Sequence, residues 1–197
     1  MGDHAQAHGK EDGMIAPVKP RYPRLLALDV AREIIDALAP ACSRICFAGS
    51  LRREKADVGD IEILYIPATS WPRELVNLAD NTIARLEKDG ILERRLNVKG
   101  RETFGRLNKL MRHIASGIPV DLFAASFDNW FNRLVCLTGP KELNQRICRE
   151  ALRIGWGWNP AGVGFTAKDS GQVARMESEE DVFDFVGIPF CEPKDRR

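Results

Sequence analysis

No run in this 197-residue chain approaches the roughly 18 consecutive apolar residues needed to cross a bilayer. The first twenty residues also lack the apolar core of a secretory leader. Both absences lead us to expect a cytoplasmic protein with no membrane partner. Histidines number only three, and two of them, His4 and His8, lie in the polar stretch from Met1 to Pro20, which reads as a disordered tail. The five cysteines, Cys42, Cys46, Cys136, Cys148 and Cys191, contain no C-x-x-C pair. An odd set without that spacing or a histidine cluster argues against zinc or a disulfide framework and for reduced, buried thiols. Excess charge of one sign is almost absent too: 29 Lys and Arg face 28 Asp and Glu, for a net +1.

That neutral total hides an uneven distribution. From Arg94 to Arg112 stand Arg94, Arg95, Lys99, Arg101, Arg106, Lys109 and Arg112 against Glu102 alone, and a second basic cluster is Arg146, Arg149 and Arg153. Acidic residues gather instead at Glu177, Glu179, Glu180, Asp181 and Asp184. A basic face can track a phosphate backbone whatever the average charge. Lys99, Arg101, Arg106, Lys109, Arg112 and Arg149 are the candidates for that contact, with solvated surface charge as the plain alternative.

Hydrophobic periodicity predicts a helix over Leu25–Leu38, ended by Pro40, and another from Pro72 to about Lys88, closed by Gly90. Strands are expected at Ile45–Ala48, Asp60–Ile66, Leu92–Val98, Arg106–Ile114 and Pro119–Ala124. Beyond Ala125 the character changes. Asn129–Leu137 and Lys141–Ile154 read as helices, Trp156–Phe165 as a small hairpin, and Glu179–Val186 as a short helix capped by Ser178. Trp156 and Trp158 are expected to pack this second core rather than stack on bases, and Trp130 to sit at the junction. The expected fold is α+β. A mixed sheet backed by two helices occupies residues 21–127, and a small α/β domain occupies 128–197, after a tail of residues 1–20.

Chemistry concentrates in three short segments. In Asp60-Ile61-Glu62 the strand period of two points both carboxylates to one face, while Ile61 and Ile63 face the core. Two such acids repel unless something positive sits between them, and Mg²⁺ suits carboxylate and phosphate oxygens. Alone, Asp-x-Glu is a weak signal, and two exposed acids on an edge strand are the favoured reading of it. Asp121 interrupts the apolar run Ile118-Pro119-Val120-Asp121-Leu122-Phe123, and a lone acid there needs a reason. Paired beside the first strand, it completes a three-carboxylate site able to hold two metal ions that align an attacking hydroxyl and a leaving pyrophosphate. Gly49-Ser50 ends a strand in a tight turn that offers N–H groups and a hydroxyl to phosphate oxygens. Arg53 adds a bidentate donor, and Gly59 permits close backbone approach.

Gly49-Ser50-Leu51-Arg52-Arg53 followed by Gly59-Asp60-Ile61-Glu62 resembles the signature of the X-family DNA polymerases, the group of DNA polymerase beta. Arg21-Tyr22-Pro23-Arg24, Leu137-Thr138-Gly139-Pro140 through Asn144, and Glu192-Pro193-Lys194-Asp195-Arg196 extend the resemblance over residues 21 to 197. It implies a palm and a C-terminal domain, as in the minimal viral members. It also implies a polymerase that uses two Mg²⁺ ions, or Mn²⁺, to add deoxynucleotides to a primer 3′-hydroxyl, with gap filling in DNA repair as its task. By the resemblance, Asp60 and Glu62 bind both metals, and Asp121 binds the catalytic one and helps activate the hydroxyl. Gly49, Ser50, Arg53, Gly59 and Arg21 hold the triphosphate, while Thr138, Gly139 and Asn144 close on the nascent base pair. A DNA primer-template or gapped duplex and a nucleoside triphosphate are the implied partners of a monomer. A cis Gly139–Pro140 bond is expected, because cis costs least before proline.

The departures carry expectations as well. Glu62 stands where the family usually has aspartate, and Pro119 where it has an arginine supporting the third aspartate. Cys136-Leu137 replaces two aromatic residues that police the sugar, which leaves ribonucleotide discrimination open, and Cys148 replaces an arginine that often grips the template. Roughly twenty residues ahead of the palm are too few for the family's lyase and helical DNA-binding domains, so weak, distributive DNA binding without lyase activity is expected. Two other readings share part of the pattern: a nucleotidyltransferase acting on a small molecule, and a DNA-binding relative that has lost catalysis through Glu62. The first leaves the Thr138 to Asn144 segment, the basic strands and the ending unexplained. Retention of all three acids and Arg53 speaks against the second.

Overall fold

A computed structural model describes residues 19–68 and 77–196. The chain enters through a two-residue strand, β1 (Tyr22–Pro23), and the helix α1 (Arg24–Leu38). Next come β2 (Cys42–Phe47), a single helical turn α2 (Gly49–Arg52), β3 (Asp57–Val58) and β4 (Ile61–Pro67). Helix α3 (Leu78–Lys88) leads into β5 (Leu92–Arg94), β6 (Asn108–His113) and β7 (Pro119–Ala124). The described α3 matches the second half of the expected Pro72–Lys88 helix, whose start lies outside the described residues.

Five of these strands form one mixed sheet in the order β2-β4-β7-β6-β5. Only β4 and β7 run parallel. Alternation along the strands decides what lies on each face. Ile61, Ile63 and Tyr65 of β4, with Val120, Leu122 and Ala124 of β7, pack against Ile34 and Leu38 of α1 and Ile83 and Leu86 of α3. This is the expected sheet backed by two helices. Each large aliphatic side chain buried there contributes about 1.5–3 kcal/mol relative to exposure. The opposite face turns Asp121 and Glu62 outward, and beyond them Leu64 and Ile66 are covered by Trp130 and Leu134.

That cover is α4 (Trp130–Thr138), which a cis Gly139–Pro140 bond separates from α5 (Lys141–Arg153). A three-stranded antiparallel sheet follows, from β8 (Trp156–Trp158), β9 (Gly164–Ala167) and β10 (Val173–Arg175), and then α6 (Glu179–Phe185). Ser178 caps α6 by accepting from Asp181 N at 3.0 Å. Trp156 packs edge-on against Phe185, and Trp158 stacks on Phe165, so both belong to the second apolar core as expected. Trp130 is buried at the junction, with the Arg44 guanidinium over its ring at 4.6 Å.

Three expectations change. The strand expected from Leu92 to Val98 stops at Arg94, because Arg95 begins a hairpin loop in which the Asn97 side chain accepts from Lys99 N and Arg101 N. β2 starts at Cys42 rather than Ile45, with a register shift between Cys42 and Arg44. The Trp156–Phe165 hairpin gains a third strand, β10, whose Ala174 carbonyl passes so close to Gly164 that a Cβ there would meet it at 2.1 Å. Among the described residues no helix is long and apolar enough to cross a membrane.

Candidate active site

In the parallel pair β4–β7 the register sets Glu62 directly opposite Asp121. Asp60 lies just ahead of β4, two residues before Glu62, and therefore faces the same side. The sheet thus brings the three acids of the sequence reading to one place. Burial, then Asp60, then Asp121 push the Glu62 carboxyl from its usual 4.5 up to about 8. Burial likewise raises Asp121, partly offset by Arg95.

Two cations answer this crowding. Lys19 Nζ sits 2.6 Å from Asp60 Oδ2 on a largely exposed stem, and Arg95 donates to Asp121 Oδ1 from a mostly buried position. Among the described residues no three His, Cys, Asp or Glu side chains converge as a ready ligand shell. The donor chemistry nonetheless fits a hard divalent cation: three carboxylates on one face, mutually repelling, with too little positive charge between them.

The Gly49-Ser50 turn abuts these acids. Gly49 adopts φ +62°, and a Cβ on it would fall 1.6 Å from Glu62 Oε2, so only glycine lets the longer glutamate lie against the turn. Here the extra methylene of Glu62 finds its accommodation. Arg53 follows one residue after α2 and donates to the carbonyl of Thr138. Burial lowers its pKa, with Glu62 working the other way. Ser50 is partly exposed in the same turn. Gly59 lies beside Lys19 and within 3.5 Å of Arg21 Nη1, as measured from an added Cβ, and Arg21 is held by Asp57.

An open cleft of about 760 Å³ runs from this turn under α5. Arg53, Glu62, Gly139, Asn144, Arg149 and Trp158 are among its walls. Asn144 donates to the Cys136 carbonyl at 2.7 Å, while its buried Oδ1 has no partner among the described residues and remains an acceptor for a ligand. Cys136 and Cys148 also border the cleft.

Two expected site residues are buried against partners within the protein. Lys109 is not on a DNA-facing surface. It is buried, its Nζ lies 2.7 Å from Asp80 Oδ1, and it donates to the Gly105 carbonyl. The cause is alternation: Lys109 shares a strand face with Met111 and His113, toward the helices. Thr138 is fully buried and its hydroxyl accepts from Arg52 Nη1 at 2.8 Å, at the domain junction. Lys99, Arg101 and Arg106 are exposed and make no ion pair among the described residues, whereas Arg112 pairs with Glu93.

The model of the DNA polymerase beta palm matches residues 20–120, and that of the DNA polymerase beta thumb matches 133–197. The chain belongs to the DNA polymerase beta family. The family's palm and thumb imply DNA binding and suggest a nucleotidyltransferase, with divalent metal in keeping. The palm match ends at Val120, so the place of Asp121 in this DNA polymerase beta-like site rests on the β4–β7 register.

The raised Glu62 pKa has a testable sign. An acid whose folded pKa exceeds its unfolded value stabilises the fold below the unfolded pKa and loses that contribution as pH rises through the folded one. Metal-free protein is therefore expected to lose thermal stability between about pH 4.5 and about pH 8. Melting curves in chelator should show this slope in the wild type and a flatter one in Glu62→Gln. An unchanged slope in the variant would assign it to other groups.

Proposed function

We propose that the protein is a DNA-directed DNA polymerase that adds deoxynucleotides to a primer 3′-hydroxyl, with short gaps in duplex DNA as its substrate. The observation that carries this reading is the direct pairing of Glu62 with Asp121 across β4–β7, with Asp60 beside them and the Gly49 turn against Glu62. We divide the chain into a palm over residues 21–127 and a nucleotide-binding domain from 128 onward. Asp60, Glu62 and Asp121 would hold two divalent cations, Mg²⁺ or Mn²⁺, which when bound neutralise the triphosphate and the attacking oxygen.

The chain's own groups do the rest. The Gly49-Ser50 turn, Arg53, Gly59 and Arg21 hold the triphosphate. Asn144 meets the incoming nucleotide through its free Oδ1. Asp121, its pKa raised by burial, accepts the 3′-hydroxyl proton. A bond forms between the primer oxygen and the α-phosphorus, the α–β phosphoanhydride breaks, and pyrophosphate leaves in line. Lys99, Arg101 and Arg106, with Arg112 and Arg149, follow the DNA backbone.

A deoxynucleotide labelled at the α-phosphate tests this. Label should enter a gapped duplex with a 3′-hydroxyl primer and not one with a 3′-deoxy primer. Transfer to a small hydroxylated or amino acceptor, with none to DNA, would instead favour a small-molecule nucleotidyltransferase.

A further inference from the structure

We infer that Arg95 is the positioning residue for Asp121, taking over from the neighbouring strand a task that Pro119 cannot perform. This rests on the polymerase reading of the three-carboxylate site. The sheet register places the pair. Arg95 N donates to Leu110 O at 3.1 Å just beyond the end of β5, and Leu110 is the partner of Asp121 in β6–β7. Arg95, Leu110 and Asp121 therefore form one row across three strands, with their side chains on the same face. The row spans two strand spacings, roughly 9–10 Å, which a long arginine and a short aspartate cover between them. Their side chains are 19% and 14% exposed, so the contact is shielded from solvent.

The form of the contact distinguishes positioning from blocking. Arg95 Nη2 donates to Asp121 Oδ1, and Oδ2 has no partner among the described residues. An ionised carboxylate offers about four lone-pair sites on two oxygens, so one oxygen is fixed while the other stays available. Lys19 on Asp60 is different: its side chain is 64% exposed on a flexible stem and is readily displaced. Along β7 itself, the residue that shares the face of Asp121 two positions earlier is Pro119, which has no side-chain donor. Without Arg95, Asp121 would face Asp60 with only the exposed, flexible Lys19 nearby to offset the charge and with no donor fixing its carboxylate, and would take other rotamers. A displacement of about 1 Å in such a group costs on the order of 10²-fold in rate.

The test uses Arg95→Ala, Arg95→Lys, and Arg95→Ala combined with Pro119→Arg, all in the full chain with melting temperatures recorded. Single-turnover incorporation into a one-nucleotide gap should fall about 10²-fold in Arg95→Ala, with the nucleotide half-saturation and DNA affinity changed less than about threefold. Added guanidinium, or Pro119→Arg, should restore part of the loss, and Arg95→Lys should lie between. Manganese binding in the presence of a non-hydrolysable nucleotide, read by electron paramagnetic resonance, should weaken in Arg95→Ala and recover in the double variant. An unchanged or faster rate in Arg95→Ala would overturn the proposal, as would a loss that neither guanidinium nor Pro119→Arg repairs. If the wild type itself incorporates nothing, the polymerase reading fails, and the manganese measurement alone decides the role of Arg95. No difference between wild type and Arg95→Ala there would reject it.

Discussion

Asp121→Asn is expected to slow nucleotide incorporation by about 10³-fold or more while leaving the melting temperature unchanged or higher. Asparagine keeps the shape and still accepts from Arg95. It removes, however, a charge that burial and Asp60 disfavour, and with it the proposed base and third carboxylate ligand. A site that is strained when empty and needed when loaded is the usual trade of stability for activity. Single-turnover kinetics beside a thermal melt reads both halves. A variant that loses activity only because it unfolds would show a lower melting temperature and would contradict this assignment.

The second large effect lies at the junction of palm and thumb. Glu179 receives Arg52 on both oxygens and Arg196 Nη2 at 2.8 Å, and the Arg196 side chain is fully buried against the rings of Phe183 and Phe190, which touch each other edge-on. Burial works to raise the Glu179 pKa, but the bonds and charge of Arg52, then Arg196, outweigh it and hold the carboxyl below its usual value. Glu179→Ala leaves two guanidinium groups without their counter-ion, at a cost of about 3–5 kcal/mol. For a chain of this size that lowers the melting temperature by roughly 10 °C. The depressed pKa gives the opposite pH sign from Glu62. The contribution of Glu179 is present above the ordinary carboxylate pKa and fades as pH falls through the folded one. Arg52 lies in the same helical turn as Gly49 and Ser50, so this cluster also ties that turn to the thumb. A melting temperature within about 2 °C of the wild type would show that water enters and resolvates the two arginines.

What the sequence disclosed follows from which physics is local. The period of two in Asp60-Ile61-Glu62 and in Pro119–Ala124 is a property of each strand, so the facing of all three acids was legible. That β7 lies beside β4 was supplied by the motif order, and the Glu62–Asp121 register emerged only with the sheet. Arg95 and Lys109 show the limit. As sequence, both are members of one basic run. In the sheet, one ends in a row with Asp121 and the other is buried against Asp80. Leu110 and Met111 are both apolar, so β6 gives no alternation that would have assigned Lys109 to a face. Thr138 was placed by its motif, while its actual partner, Arg52, is 86 residues away. The strand β10 is only three residues long and is held by pairing with β9, which no short-range pattern encodes.

The most direct measurement is incorporation of one deoxynucleotide into a one-nucleotide-gapped duplex by the wild-type chain, with Mg²⁺ or Mn²⁺ and with chelator. Extension of the primer by one nucleotide with release of pyrophosphate, dependent on the divalent cation and abolished by chelator, is the expected result. No extension with either cation, from protein shown to be folded and to bind the gapped DNA, would contradict the assignment of Asp60, Glu62 and Asp121 as the centre of a DNA polymerase.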